Sequence, residues 1–251
     1  MQIKVTYYRM PRITAPLVPL DKYYTEDPTI YEIGVDEAGR GPLFGRVYSG
    51  AVVLPKDATS CITPLFDHSL MKDSKKFHSV KKIKEASDYI KNNALAWSVA
   101  YEDETTIDEI NILQATQSAM HKAIKSCIEQ LKNSTRDQST EKKALAVQLL
   151  IDGNYFKPMT EYNKSTQKIE SVSHLCIEKG DGKYSCIAAA SILAKVARDE
   201  YIEELCAAHP YLAENYGIDS NKGYGAKKHL DGIKNHGITQ WHRKSYAPCK
   251  N

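Results

Sequence analysis

The chain has 251 residues, 42 % of them hydrophobic and 26 % charged, with a formal net charge of +3. This content supports a packed core and excludes disorder along the whole chain, and the length holds one large domain or two small ones. The longest weakly polar run, 186–194, falls far short of the ~20 apolar residues that a membrane span needs, so no membrane association is expected.

Residues 1–30 contain Pro11, Pro16, Pro19 and Pro28 and read as an irregular extension. Lys4, Arg9 and Arg12 break its apolar runs, so it does not read as a secretory signal. Residues 31–35 read as a strand running into Asp36, and 47–54 as a second strand ended by Pro55. Residues 79–92 make an amphipathic, Lys-rich helix, and 95–101 alternate with strand period. Thr106 with Glu109 three residues on is a capping box. It opens a long helix on which Ile110, Leu113, Met120, Ile124, Cys127 and Leu131 recur at helical spacing.

Residues 132–143 are wholly polar and read as a loop, and the apolar run 145–151 suits a strand buried on both faces. Residues 157–170 are polar and loop-like again, and 172–177 make a further strand. Ile187, Ala190, Ala194, Ala197 and Tyr201 step at helical spacing, so a largely buried helix follows, and 227–235 form a last helix. Strands alternating with helices predict an α/β fold with a helical C-terminal region.

Six cysteines form no Cys-x-x-Cys pair, which argues against a zinc knuckle. Scattered free thiols without a signal point to a reducing, cytoplasmic setting. Charge is uneven. Residues 220–251 carry Lys222, Lys227, Lys228, Lys234, Arg243, Lys244 and Lys250 against one acid, Asp231, a net +6 that leaves −3 for the rest of the chain. Lys72, Lys75, Lys76, Lys81, Lys82 and Lys84 make a second basic cluster around Asp73. Two such clusters point towards a polyanionic partner.

Carboxylates fall where strands should end. Asp36 and Glu37 follow the first strand, Asp152 closes the run 145–151, and Asp181 stands between Gly180 and Gly182 before a helix. Any one of these is ordinarily a turn former or cap. Two adjacent carboxylates at the end of a buried strand, however, are costly to ionise unless a positive charge lies beside them. A divalent cation supplies it, and hard cations take carboxylate and phosphate oxygens. Acids converging on one spot suit phosphodiester hydrolysis assisted by two metal ions. Gly39 and Gly41 permit close backbone approach to a ligand, with Arg40 presenting a fork of donors to a phosphate. The spacing does not match a dinucleotide fingerprint. His242 reads as a solvent-exposed histidine with no ligand role.

These blocks resemble one family, the type 2 ribonucleases H or ribonuclease HII. The resemblance rests on 36–45 (DEAGRGPLFG), 73–76 (DSKK), 107–113 (IDEINIL), 151–154 (IDGN), 179–181 (KGD), 188–196 (AAASILAKV), 222–224 (KGY) and 242–248 (HRKSYAP), in the family's order. It implies a ribonuclease H-like mixed sheet flanked by helices. The implied layout is an extension over 1–30, a catalytic core over 31–205 and a basic, mainly helical C-terminal region over 206–251 packing on that core. It implies cleavage of the RNA strand of RNA–DNA hybrids and nicking of duplex DNA 5′ of an embedded ribonucleotide, with 5′-phosphate and 3′-hydroxyl products. Such an enzyme serves ribonucleotide and primer removal.

The family's metal-binding acids map to Asp36, Glu37, Asp152 and Asp181, with two ions, Mg²⁺ or Mn²⁺, expected. Its Gly-Arg-Gly motif maps to Gly39, Arg40 and Gly41, and its 2′-hydroxyl sensor to Tyr224. The related type 3 enzymes lack the arginine, so Arg40 favours type 2. Lys75, Lys76 and Lys222 are candidate phosphate neutralisers, as is Lys195. Arg46 stands where the family usually has Pro or Ala. A monomer is expected, and the C-terminus has no sliding-clamp motif. Two readings stay open beside this one: a non-catalytic nucleic-acid-binding protein, and another ribonuclease H-like nuclease.

Overall fold

The computed structural model describes residues 19–57, 65–134, 145–163 and 166–250. Strands β1 (Ile30–Ala38), β2 (Val47–Val53), β3 (Ala96–Glu102), β4 (Ala146–Asp152) and β7 (Ser173–Ile177) form one mixed sheet of order β3-β2-β1-β4-β7. β2 runs antiparallel to β1 and β3, whereas β1, β4 and β7 are mutually parallel.

Period-2 alternation gives each sheet face its own helix. Ile33, Val35, Leu149 and Ile151 pack with Met120, Ile124 and Cys127 of α2 (Glu104–Ser134). Val52 and Leu150 face Ile187, Ala190 and Ile192 of α3 (Ser185–Ala208) on the other side. The small residues of α3 let it lie almost on the strands. A Cβ built on Gly34 would come within 2.2 Å of the Cys186 carbonyl carbon, so only glycine fits there. Helix α1 (Val80–Asn93) packs against α3.

Three sequence expectations change. The long helix begins at Glu104, capped by the Asp103 carboxylate, which accepts from Thr106 N–H at 2.9 Å; the Thr106–Glu109 box lies inside it. It is also broken at Asn111 (φ 66°, ψ 162°), whose side chain accepts from Leu113 and Gln114 N–H and recaps the second segment. Ile110 and Leu113, either side of the break, are exposed, while Met120, Ile124, Cys127 and Leu131 stay in the core. The polar segment 157–170 is not all loop: β5 (Thr160–Asn163) and β6 (Lys168–Ser171) pair as a hairpin apart from the main sheet. That hairpin is solvated, with Tyr162 and Ile169 as exposed cross-strand partners, so no buried alternation marked it. Of the polar loop expected at 132–143, residues 132–134 are helical and 135–143 lie outside the described residues, as does most of the extension.

The described part of the extension lies on the core. Asp21 pairs with the backbone of Lys183 and Ser185. Buried Lys56 donates to the Thr25 and Asp27 carbonyls and meets Glu32 at 3.2 Å. The C-terminal region adds two short helices without sequence signals, α4 (Tyr211–Tyr216) and α5 (Ile218–Asn221), before α6 (Lys227–His236). Phe44, from the β1–β2 connection, fills their core with Ile202, Leu212, Tyr216 and Ile218. Among the described residues no helix is long and apolar enough to cross a membrane.

Candidate functional site

Register brings the acids together. Val35 is the last partner of Ile151 in the parallel β1–β4 ladder, so the next residues, Asp36 and Asp152, stand side by side. The antiparallel ladder to β2 continues, pairing Asp36 with Gly50 and Glu37 with Ser49. The two acids therefore lie within β1 rather than beyond its end, and backbone pairing holds them in place. Asp181 sits in a 3₁₀ turn (Gly180–Gly182) between β7 and α3. Gly180 N–H donates to Asp152 Oδ1 at 2.6 Å and joins that turn to the end of β4.

The carboxylates act on one another. Burial, followed by the charges of Glu37 and Asp152, raises Asp36 well above the usual carboxylate range, and it is only 5 % exposed. Burial raises Glu37 too, against the opposing pull of the Arg40 guanidinium 3.3 Å away. Asp181 is raised by burial, then by Asp152 and by a fifth acid, Asp73. Lys75 is the cation facing this group. Burial disfavours its charge, yet Asp181, Asp73, Asp36 and Asp152 together push the ammonium's pKa up. Two hydroxyls lie on the Asp36 side of the same turn: Ser74 Oγ is 3.0 Å from Ser191 Oγ, and Ser191 favours the ionised Asp36 carboxylate.

Donor chemistry fits a hard divalent cation, since the four acids offer carboxylate oxygens and burial with nearby negative charge disfavours the ionised forms of Asp36, Glu37 and Asp181. The acids form a shared neighbourhood, not a closed cage. Among the described residues no three His, Cys, Asp or Glu side chains close on one point tightly enough to hold an ion as they stand.

Beside the acids lies the Gly39–Arg40–Gly41 turn. Gly39 has φ +94°, and a Cβ there would strike the Arg198 side chain at 2.4 Å. Arg40 is half exposed (51 %). A Cβ built on Gly41 would lie 3.5 Å from the Tyr224 ring, which is 52 % exposed, so turn and tyrosine share one surface. Arg198, buried, lies 5.8 Å from the centre of that ring and donates to the Lys222 carbonyl at 2.6 Å.

Of the candidate lysines, Lys75 stands among the acids and Lys76 is exposed. Lys222 is half-buried, its ammonium 3.4 Å from Glu203, and Lys195 pairs with Asp199. Two residues lie away from where the sequence suggests. His242 and Arg243 are fully buried, so His242 is not a surface histidine and Arg243 is not part of a phosphate-facing tail. A basic residue in a basic stretch gives no signal of burial. Their place in the closing block 242–248 was the available hint.

A mixed sheet of this order, with carboxylates at adjoining strand positions and helices on both faces, is a ribonuclease H-like fold. The Ribonuclease HII family model matches residues 33–249. Ribonuclease HII of Cytophaga hutchinsonii is 41 % identical over 86 % of this chain and 88 % of its own length, and that of Phocaeicola vulgatus 42 % over 86 % and 89 %. Among solved structures, the ribonuclease H2 of Pyrococcus horikoshii superposes with a TM-score of 0.56 at 23 % identity, covering 87 % of this chain and 95 % of that one. Bst-RNase HIII in complex with Mn²⁺ gives 0.58 at 20 % identity over 90 % and 70 %. The chain belongs to the ribonuclease HII family, nucleases that cleave RNA in RNA–DNA hybrids and remove ribonucleotides from DNA.

Proposed function

We propose that Asp36, Glu37, Asp152 and Asp181 hold two divalent ions, Mg²⁺ or Mn²⁺, and that the Gly39–Arg40–Gly41 turn with Tyr224 reads the ribonucleotide. Bound there, the ions supply an activated water and stabilise the leaving oxygen of a phosphodiester. The protein's own part is positional. The β1–β4 register sets Asp36 beside Asp152, and Glu37 N–H, which donates to Asp36 Oδ1 at 2.7 Å, orients that carboxylate. Lys75, drawn in by four carboxylates, is placed to neutralise substrate phosphate. Lys76 is exposed for the same task, whereas Lys222 must first leave Glu203.

The observation that carries this reading is the juxtaposition of Gly41 with the Tyr224 ring next to the acid-bearing strand. An RNA strand differs from DNA at one 2′-hydroxyl, and a flat, hydroxyl-bearing side chain against an approachable backbone suits its detection. The reading extends to nicking of duplex DNA 5′ of a single ribonucleotide, leaving 5′-phosphate and 3′-hydroxyl ends, by a monomer in a reducing, cytoplasmic setting. An end-labelled duplex with one ribonucleotide, incubated with Mg²⁺ or Mn²⁺, tests it. One nick 5′ of that residue is expected. Binding without cleavage supports a non-catalytic role, and cleavage of ribonucleotide-free DNA supports a different ribonuclease H-like nuclease.

A further inference from the structure

Arg243 spends its guanidinium almost wholly on backbone, the one side-chain acceptor being Tyr246 Oη at 3.4 Å. Its three nitrogens donate to the carbonyls of Gly39, Arg40, Pro42, Gly45 and Arg46 at 2.6 to 3.1 Å. Those five carbonyls line the inside of the 39–46 loop, so the loop wraps around one planar cation. Tyr246 Oη donates to the same Arg40 carbonyl at 2.8 Å. With the carbonyls turned inward, Arg40 keeps its side chain at the surface beside Glu37.

His242, the adjacent residue, serves the other half of the proposed reader. Thr239 N–H donates to His242 Nδ1 at 2.9 Å, which leaves the ring proton on Nε2. That Nε2–H points at His229 Nε2, 3.1 Å away. The remaining proton of His229 is then on Nδ1, which donates to the Tyr224 carbonyl at 2.9 Å. The network therefore sets both tautomers, and both rings are fully buried. The Phe44 ring meets His242 edge-on at 5.1 Å. Backbone bonds sew the parts together, Leu43 N–H to the Gly223 carbonyl and Arg243 N–H to the Leu43 carbonyl, both at 2.9 Å.

We propose that His242 and Arg243 form a common brace for the ribonucleotide reader. Arg243 fixes the 39–46 loop, and His242, acting through His229, fixes the backbone of Tyr224. The brace sets the gap between Gly41 and the tyrosine ring, which is the gap a ribose must enter. Both are positioning residues, since neither has exposed surface with which to touch substrate. The inference rests on the reading of residues 39–41 and Tyr224 as the ribonucleotide reader.

The test is the ratio of initial rates on a duplex with one embedded ribonucleotide and on a long RNA–DNA hybrid, measured with melting temperature. Arg243→Lys keeps the charge but not the fork. It should lower the ratio roughly tenfold, as expected when several hydrogen bonds that hold a contact are lost. His242→Asn keeps an acceptor near Thr239 but no longer reaches His229, whereas His242→Gln can still donate towards it. The first should lower the ratio severalfold and the second should retain most of it. Leu131→Ala, in the α2 core, controls for destabilisation alone and should lower the melting temperature with an unchanged ratio. Tyr224→Ala runs in parallel. If Tyr224→Ala leaves the ratio unchanged, the reader assignment fails. If it lowers the ratio while Arg243→Lys and both His242 variants behave like Leu131→Ala, the brace is overturned and the reader stands.

Discussion

Asp36 shows what burial does to a single carboxylate. Its folded form holds a proton more readily than an unfolded aspartate, so its ionised form opposes folding at neutral pH. Asp36→Asn should therefore raise the melting temperature in chelator by a few degrees, measured calorimetrically, while cutting turnover by at least ~10²-fold. Asp152→Asn should lose activity similarly. Near-normal turnover in either variant would remove that residue from the metal-binding set.

Tyr224 separates two physical roles. If its hydroxyl contacts the 2′-OH, Tyr224→Phe should resemble Tyr224→Ala, with roughly a tenfold to hundredfold loss on the single-ribonucleotide duplex. If the ring stacks on the sugar, Phe should keep most of the rate. At this scale the acids were legible because a carboxylate after an apolar run is conspicuous. Ser74, Ser191, His229 and Arg243 were not, because nothing in a hydroxyl, a ring or a cation announces that its partner lies 13 to 204 residues away.

Among the elements, the break in α2 is the clearest departure from periodicity. Asn111 holds a positive φ that few side chains accept, and its carboxamide caps the segment beyond. Asn111→Ala should lose both, about 1–3 kcal/mol in urea unfolding, whereas Asn111→Gly should lose less because glycine tolerates the backbone. Helical spacing ran through the break because Met120, Ile124, Cys127 and Leu131 keep their own register beyond it.

The C-terminal elements depend on the neutral His pair. Burial, then the neighbouring His229, pushes His242 down to about 4, and burial lowers His229 as well. Protonating either ring would set N–H against N–H. Both histidines titrate near 6.5 when unfolded, so this contribution is complete above that pH. It is lost as pH falls from about 6.5 towards 4, on the order of 2–3 kcal/mol. Urea titrations between pH 7 and 5 should show the loss, and His242→Gln should flatten the dependence. The sheet and the long helices were legible from periods of 2 and 3.6. The β5–β6 hairpin and helices α4 and α5 were not, being either solvated or too short to show a period.

Over the whole molecule, the basic C-terminal stretch is less available than its formal charge implies. Arg243 is sealed inside and Lys222 faces Glu203, whereas Lys227, 3.2 Å from Asp231, keeps its side chain exposed. Lys228 donates to the Ala213 carbonyl. Charge counted along a sequence says nothing of these partners. Binding to duplex should still weaken with salt, but neutralising Lys222, Lys227 and Lys228 together should reduce the slope of log affinity against log salt by less than about 3. A reduction by the full amount would mean that all three leave their present partners for phosphate.

In the proposed reading, the acids of β1, β4 and the Gly180–Gly182 turn cleave where the Gly39–Arg40–Gly41 turn and Tyr224 find a ribonucleotide. The most direct measurement is cleavage of two end-labelled duplexes, identical except for one ribonucleotide, by the wild type and by Asp152→Asn, with Mg²⁺ or Mn²⁺. The wild type should give a single nick 5′ of the ribonucleotide and leave the all-DNA duplex intact, and Asp152→Asn should nick at least ~10²-fold more slowly. Equal cutting of both duplexes, or an unimpaired Asp152→Asn enzyme, would contradict that reading.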